Sequence, residues 1–138
     1  MRFDLVDAVL EISADRIVAV KQVTAAEEYL GDHFPGFPVL PGVMMIEAMV
    51  QAARRLLERR EAGGRLVLGG VRGLKYGGMV RPGDALRVEV ALAGEAGGVF
   101  EFKGAGTVVK PGGASAPDAG RNAVAGRFSL RPIRLGVG

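Results

Sequence analysis

Residues Val43 to Leu57, VMMIEAMVQAARRLL, spell a helix whose first half is apolar on nearly every side. Such a helix has no solvent face to offer, so it must be buried inside something. Pro41 and Gly42 lead into it, and Gly63-Gly64 provide the left-handed stop beyond it. Past Ala53 the pattern turns amphipathic and charged, which brings the C-terminal end out to solvent.

The rest of the chain supplies the cover. Phe3 to Ile12 and Arg16 to Val23 are rich in Val, Ile and Leu and flank Ser13-Ala14-Asp15, the turn chemistry of a hairpin. Further strand-like segments run Leu66 to Val71, Ala85 to Leu92, Val99 to Val109 and Ala123 to Ile133, with reversals expected at Arg81-Pro82-Gly83-Asp84 and Gly94-Glu95-Ala96-Gly97-Gly98. Thr24-Ala25-Ala26-Glu27 has capping-box spacing and predicts a short helical turn ending near Gly31. From Asp32 to Pro41, DHFPGFPVLP, three prolines and a glycine stiffen the backbone into an extended loop. Residues 110–121 read as a Gly/Pro/Ala/Ser excursion before the last strand. One apolar helix with antiparallel strands is solved physically by a sheet that curls around the helix, an α+β fold. A single domain over 1–138 is expected, with a second subunit covering the part of the helix that its own sheet leaves open.

The chain has no cysteine and one histidine, which removes disulfide and thiolate chemistry and leaves no ordinary zinc ligand set. Acids at Asp4 and Asp7 interrupt any secretory pattern, and no apolar run reaches the roughly 18 residues of a spanning helix. A cytoplasmic protein with no membrane insertion, no nucleic-acid partner and no metal is expected. Net charge is a modest +3, but Arg54, Arg55, Arg59 and Arg60 cluster. They suit either a solvated helix end or an acidic partner, with Arg72, Lys75 and Arg81 as further candidates.

Within the apolar half of the helix, Glu47 is joined only by Gln51, one turn later on the same face. A carboxyl there must be paired, protonated or open to a cavity, so it is either a structural Glu held by Gln51 or a chemical group. His33 is the only histidine, and it sits in the stiff loop. It is either a polar loop residue or a positioned base, since neutral imidazole accepts a proton near neutral pH. Gly42 stands where unpartnered amides begin a helix; the position is a plain helix start or an oxyanion site.

Taken together, His33-Phe34-Pro35-Gly36, Pro38, Pro41-Gly42-Val43, Ile46-Glu47-Ala48-Met49 and Gln51 closely resemble the signature of the (3R)-3-hydroxyacyl-acyl-carrier-protein dehydratases. Phe3 to Ile12, Val71 to Asp84 and Phe100 to Val108 resemble further segments of that family, and Lys110 to Arg121 resembles it least. The resemblance implies a hot-dog fold and a homodimer or a higher assembly of dimers, with a site shared between His33 of one subunit and Glu47 of the other. It implies that His33 takes the C2 proton, that Glu47 orients or protonates the departing hydroxyl, that the Gly42 amide binds the thioester carbonyl, and that Phe34 and Gln51 line the substrate. Acyl carrier protein would be the partner, docked by the arginine cluster. Its phosphopantetheine arm carries the substrate, and no other cofactor is expected. The chemistry fits: a weakly acidic C–H needs both a base and an oxyanion site, and hydroxide needs an acid to leave. Burial would favour a protonated carboxyl for that last task.

Departures from the pattern are Asp32, where the family commonly has a small residue before the His, and a start close to the first strand without the family's preceding His-Arg-Tyr-Pro segment. Glu rather than Asp at position 47 favours dehydration without isomerisation. The competing readings are a hot-dog thioesterase that activates water, and a non-catalytic acyl-binding or scaffold subunit.

Overall fold

A computed structural model describes residues 4–24, 40–58, 66–113 and 119–133. In chain order the elements are β1 (Ala8–Ile12), β2 (Arg16–Gln22), α1 (Gly42–Glu58), β3 (Leu66–Tyr76), β4 (Ala85–Ala96), β5 (Val99–Val109) and β6 (Asn122–Pro132). The six strands form one antiparallel sheet in the order β1-β2-β4-β5-β6-β3. Because β2 lies near one edge and β3 forms the other, the connection through α1 carries the chain across the whole sheet, and the helix rests on the face it crosses.

Alternation sets that face. On β5, Phe100, Phe102, Gly104, Gly106 and Val108 are buried, while the residues between them are partly or fully exposed. Met45, Met49, Val50, Leu56 and Leu57 of α1 join the same apolar cluster as Ile17, Leu86, Val90, Phe102, Phe128 and Leu130. Each large side chain removed from water contributes roughly 1.5–3 kcal/mol before the entropy of ordering it is counted. Gly104 sets how close the helix comes: a Cβ there would stand 2.8 Å from Met49 Sδ and 3.3 Å from Phe128 Cε1. Phe102 and Phe128 stack beside it with centroids 5.3 Å apart.

The strands differ from expectation at their ends. β1 starts at Ala8 rather than Phe3; Leu5 and Val6 are buried but pack in the core outside the ladder, and the Leu5 amide bonds to the helix. β3 runs on to Tyr76, with irregular register between Leu68 and Gly70 and between Arg72 and Lys75. β4 continues through Glu95 to Ala96, and Gly94 is absorbed as an irregularity in its pairing with β5. Only Gly97 and Gly98 make the turn, with φ of 59° and 81°. A two-residue hairpin loop of type I′ needs both residues in that left-handed region.

The Arg81-to-Asp84 reversal is pinned from both sides. Asp84, 4 % exposed, accepts the Arg81 amide at 2.9 Å and Lys110 Nζ at 2.7 Å, which ties the start of β4 to the end of β5. The expected helical turn after Thr24, the proline loop, the glycine stop and residues 114–118 of the excursion lie outside the described residues.

The helix is less enclosed than its composition suggests. Val43 is 67 % exposed, and Met44, Ile46 and Glu47 are half-buried. The exposed apolar residues Leu68, Val71 and Tyr76 all lie on the edge strand β3.

Candidate active site

Leu40 enters the helix by donating its amide to Val80 O at 2.7 Å, and Pro41 O then accepts the amides of Met44 and Met45. The amides of Gly42 and Val43 precede any intrahelical acceptor, so they are the donors a helix start leaves open. The Tyr76 ring, from the end of β3, packs onto Gly42: a Cβ at position 42 would be 2.6 Å from Cε1 and Cζ and 2.8 Å from the hydroxyl. No side chain fits there without moving that ring.

Glu47 lies one turn into α1, and Gln51 and Arg54 follow it on one stripe at helical spacing. Gln51 Nε2 donates to Glu47 Oε1 at 3.3 Å, and Gln51 Oε1 accepts the Leu5 amide at 2.7 Å. The glutamine is thus oriented by backbone on one side and orients a carboxylate on the other. Arg54 Nη1 stands 3.9 Å from the same Glu47 oxygen, while its Nε donates to Leu66 O at 3.3 Å. The burial expected of Glu47 is not met within one chain, because its side chain is 41 % exposed. Its carboxylate opens towards the helix face that carries Val43 and Ile46 rather than into the core.

The structure therefore brings Gly42, Glu47 and Gln51 onto one helix, and joins Glu47 to Gln51 directly. His33 and Phe34, together with Arg59 and Arg60, lie outside the described residues. Arg54 and Arg55 are engaged by the chain itself: Arg55 donates to Val6 O at 3.4 Å and approaches Asp4 at 3.7 Å. Arg72 and Lys75 sit on the sheet face opposite the helix, separated from the helix arginines by the sheet. Sequence reasoning missed two members of the neighbourhood. Tyr76 was hidden in a strand that continues past its apolar run, and the Arg54–Glu47 approach shows only in the spacing of the stripe. Among the described residues, no group of three His, Cys, Asp or Glu side chains is placed to hold a metal ion. No helix of those residues is long and apolar enough to cross a membrane.

Comparison with known proteins gives consistent matches. The ApeI-like family model, described as ApeI dehydratase, matches residues 10–112. The 3-hydroxyacyl-[acyl-carrier-protein] dehydratase FabZ of Bacillus cereus (strain AH820) is 41% identical over 109 residues, covering 77% of this chain and 76% of that protein. The FabZ protein of Oenococcus oeni (strain ATCC BAA-331 / PSU-1) is 48% identical over 91 residues, covering 64% of this chain and 66% of its own. Among solved structures, the dehydratase heterocomplex ApeI:P from Xenorhabdus doucetiae superposes with a TM-score of 0.69 at 21% identity, covering 95% of this chain and 84% of that one. A hypothetical thioesterase with coenzyme A from Streptococcus pneumoniae TIGR4 gives 0.64 at 12% identity, covering 89% and 82%. At those identities the structural matches speak for the fold alone, and that fold is the hot-dog arrangement of a sheet wrapped on one helix.

Proposed function

Since the chain belongs to the dehydratase family of the ApeI-like and FabZ proteins, we propose that it removes water from 3-hydroxyacyl groups carried on acyl carrier protein, yielding the 2-enoyl thioester in fatty acid or related biosynthesis. The observation that carries the reading is Glu47 held by Gln51 on the helix that Gly42 begins, within a chain 41% identical to a protein of that activity.

In the proposed reaction His33 takes the proton at C2, and the electron pair moves towards the thioester carbonyl, whose oxygen is stabilised by the open amide of Gly42. The pair returns to form the C2–C3 double bond as the C3–O bond breaks. Glu47 protonates the leaving hydroxyl, so that water departs, and the proton on His33 is afterwards passed back to Glu47 through solvent or the site. Gln51 fixes the carboxyl rotamer, and Phe34 lies along the acyl chain. The phosphopantetheine arm of the carrier is the only prosthetic group the scheme requires.

A homodimer completes the site. A helix start with Val43 at 67 % exposure, next to an edge strand of eleven residues carrying Leu68, Val71 and Tyr76, is costly to leave in water and prone to wrong pairing. A second copy covers both, and it brings His33 of one subunit to Glu47 of the other. A cytoplasmic location agrees with this carrier chemistry. Carrier docking falls to the second half of α1 with Arg54 and Arg55, which Arg59 and Arg60 follow in sequence, whereas Arg81 adjoins Val80, whose carbonyl accepts the Leu40 amide at the start of the helix. Such docking weakens as salt rises.

The test is incubation of the pure protein with 3-hydroxyacyl carrier protein, with the acyl group followed by mass. Loss of one water is expected, falling by about 10²-fold or more in His33→Ala and in Glu47→Gln. Release of free acid would make the protein a thioesterase. An unchanged acyl group would make it a binding subunit.

A further inference from the structure

A concavity lies away from Glu47, on the sheet face that the helix does not cover. It is an open groove of about 780 Å³, and its lining includes Arg72, Lys75, Lys103 and Arg127 against one acid, Glu89. The pairing register explains its charge. Arg72 of β3 stands directly opposite Arg127 of β6, and Arg127 stands directly opposite Lys103 of β5. Three cations thus lie in one cross-strand row, over two interstrand steps or about 10 Å.

Like charges facing one another across strands oppose folding, and here little among the described residues offsets them. Arg72 has Glu101 at 3.7 Å. Lys103, Arg127 and Lys75 make no ion pair among the described residues, and Glu89 is already engaged by Arg16 and Arg87. The neighbouring row, Lys75–Ala125–Ala105–Glu89, places alanines in its two middle positions. Small side chains at Ala105 and Ala125 leave the middle of this face low between its longer cationic neighbours. The irregular stretch of β3 between Arg72 and Lys75, with Gly73 at φ 62°, bends that strand so that both cations flank the groove.

We propose that this groove binds a soluble oligophosphate, whose successive charges lie along the Arg72–Arg127–Lys103 row while any apolar body rests on the alanine floor. A row of cations matches a chain of linked phosphates better than a single anion, and a guanidinium pair offers the forked donors that phosphate oxygens accept. A lipid surface is broad and flat and would meet the rims of a concave site rather than its floor.

Titration of the whole protein with sodium tripolyphosphate, against sodium chloride of equal ionic strength, tests this by calorimetry and by melting temperature. Expected are saturable binding of one anion per chain and a rise in Tm beyond that given by chloride. In Lys103→Thr and Arg127→Thr the affinity falls by about tenfold for each cation removed, the size of one charge-assisted hydrogen bond lost. Threonine suits an exposed strand, so the double variant without ligand is expected to melt at or above the wild type in low salt. Arg131→Ser, outside the groove, keeps the wild-type response. A Tm rise equal to that from chloride, a rise retained by the double variant, or binding to phosphatidylglycerol vesicles that tripolyphosphate does not displace would each overturn the proposal.

Discussion

Gln51 is clamped between Leu5 and Glu47: its carbonyl accepts the Leu5 amide at 2.7 Å, and its amino group donates to the Glu47 carboxylate at 3.3 Å. These two bonds separate scaffold from chemistry. Gln51→Leu breaks both and strands the partly buried Leu5 amide, so unfolding in urea should show a loss of about 1–3 kcal/mol. Gln51→Glu keeps an acceptor for Leu5 but replaces the donor to Glu47 with a second carboxylate, a like-charged neighbour that costs a helix only about 0.2–0.5 kcal/mol. The expected outcome is near-normal stability in Gln51→Glu with turnover as poor as in Gln51→Leu. Wild-type turnover in Gln51→Glu would remove Gln51 from the site.

That clamp also marks how far the site was legible in advance. Glu47 and Gln51 were visible as the only polar pair in the apolar half of the helix, because helical spacing is local information. The third partner, Leu5, was not. It reads as strand by composition, and only tertiary packing decides that its amide goes to a side chain instead of to β2. The turn Gly97-Gly98 was likewise buried in a longer glycine-rich stretch, since Gly94 and Ala96 look like turn residues but the β4–β5 ladder carries on through them. Val99 to Val109, by contrast, appears as β5 at the expected bounds, with strict alternation from Phe100 to Val108. The half-exposed state of Glu47 was not legible at all. It depends on which part of the helix the chain's own sheet leaves bare.

Gly42→Ala should divide stability from activity. The added methyl collides with the Tyr76 ring, but that residue is 53 % exposed and can swing outward. Unfolding free energy should therefore move by less than about 1 kcal/mol. The methyl then occupies the space in front of the open amides, where the thioester carbonyl is proposed to bind, and turnover should drop by about 10²-fold. Gly42→Ala combined with Tyr76→Ala makes room for the methyl, so any residual strain disappears while the loss of turnover remains. Recovery of turnover in the double variant would show that the ring, not the amide, was at fault.

Breaking the Asp84–Lys110 pair should be among the costliest single polar changes in the sheet. The two side chains are 6 % and 14 % exposed and meet at 2.7 Å, and Asp84 also holds the Arg81 amide. Asp84→Ala leaves a mostly buried ammonium without its partner, for which about 3 kcal/mol is expected. Removing both in Asp84→Ala with Lys110→Met should restore part of that, because the stranded charge goes too. Chemical denaturation of the four proteins in the double-mutant cycle measures it. A double variant less stable than the sum of the singles would contradict a pair whose cost lies in desolvation.

The proposed sharing of the site between subunits has a consequence that no single-chain site can reproduce. In a mixed dimer of His33→Ala with Glu47→Ala, two-fold symmetry gives one site both lesions and the other neither. Each variant alone stays inactive. Random exchange makes about half the dimers mixed, each with one of its two sites intact, so recovered activity should approach about a quarter of wild type. Exchange is verified independently by pulling down one tagged variant and detecting the other. If mixed dimers form and no dehydration returns, His33 and Glu47 serve the same chain's site or are not partners, whereas recovery near a quarter requires that each site draw on both chains.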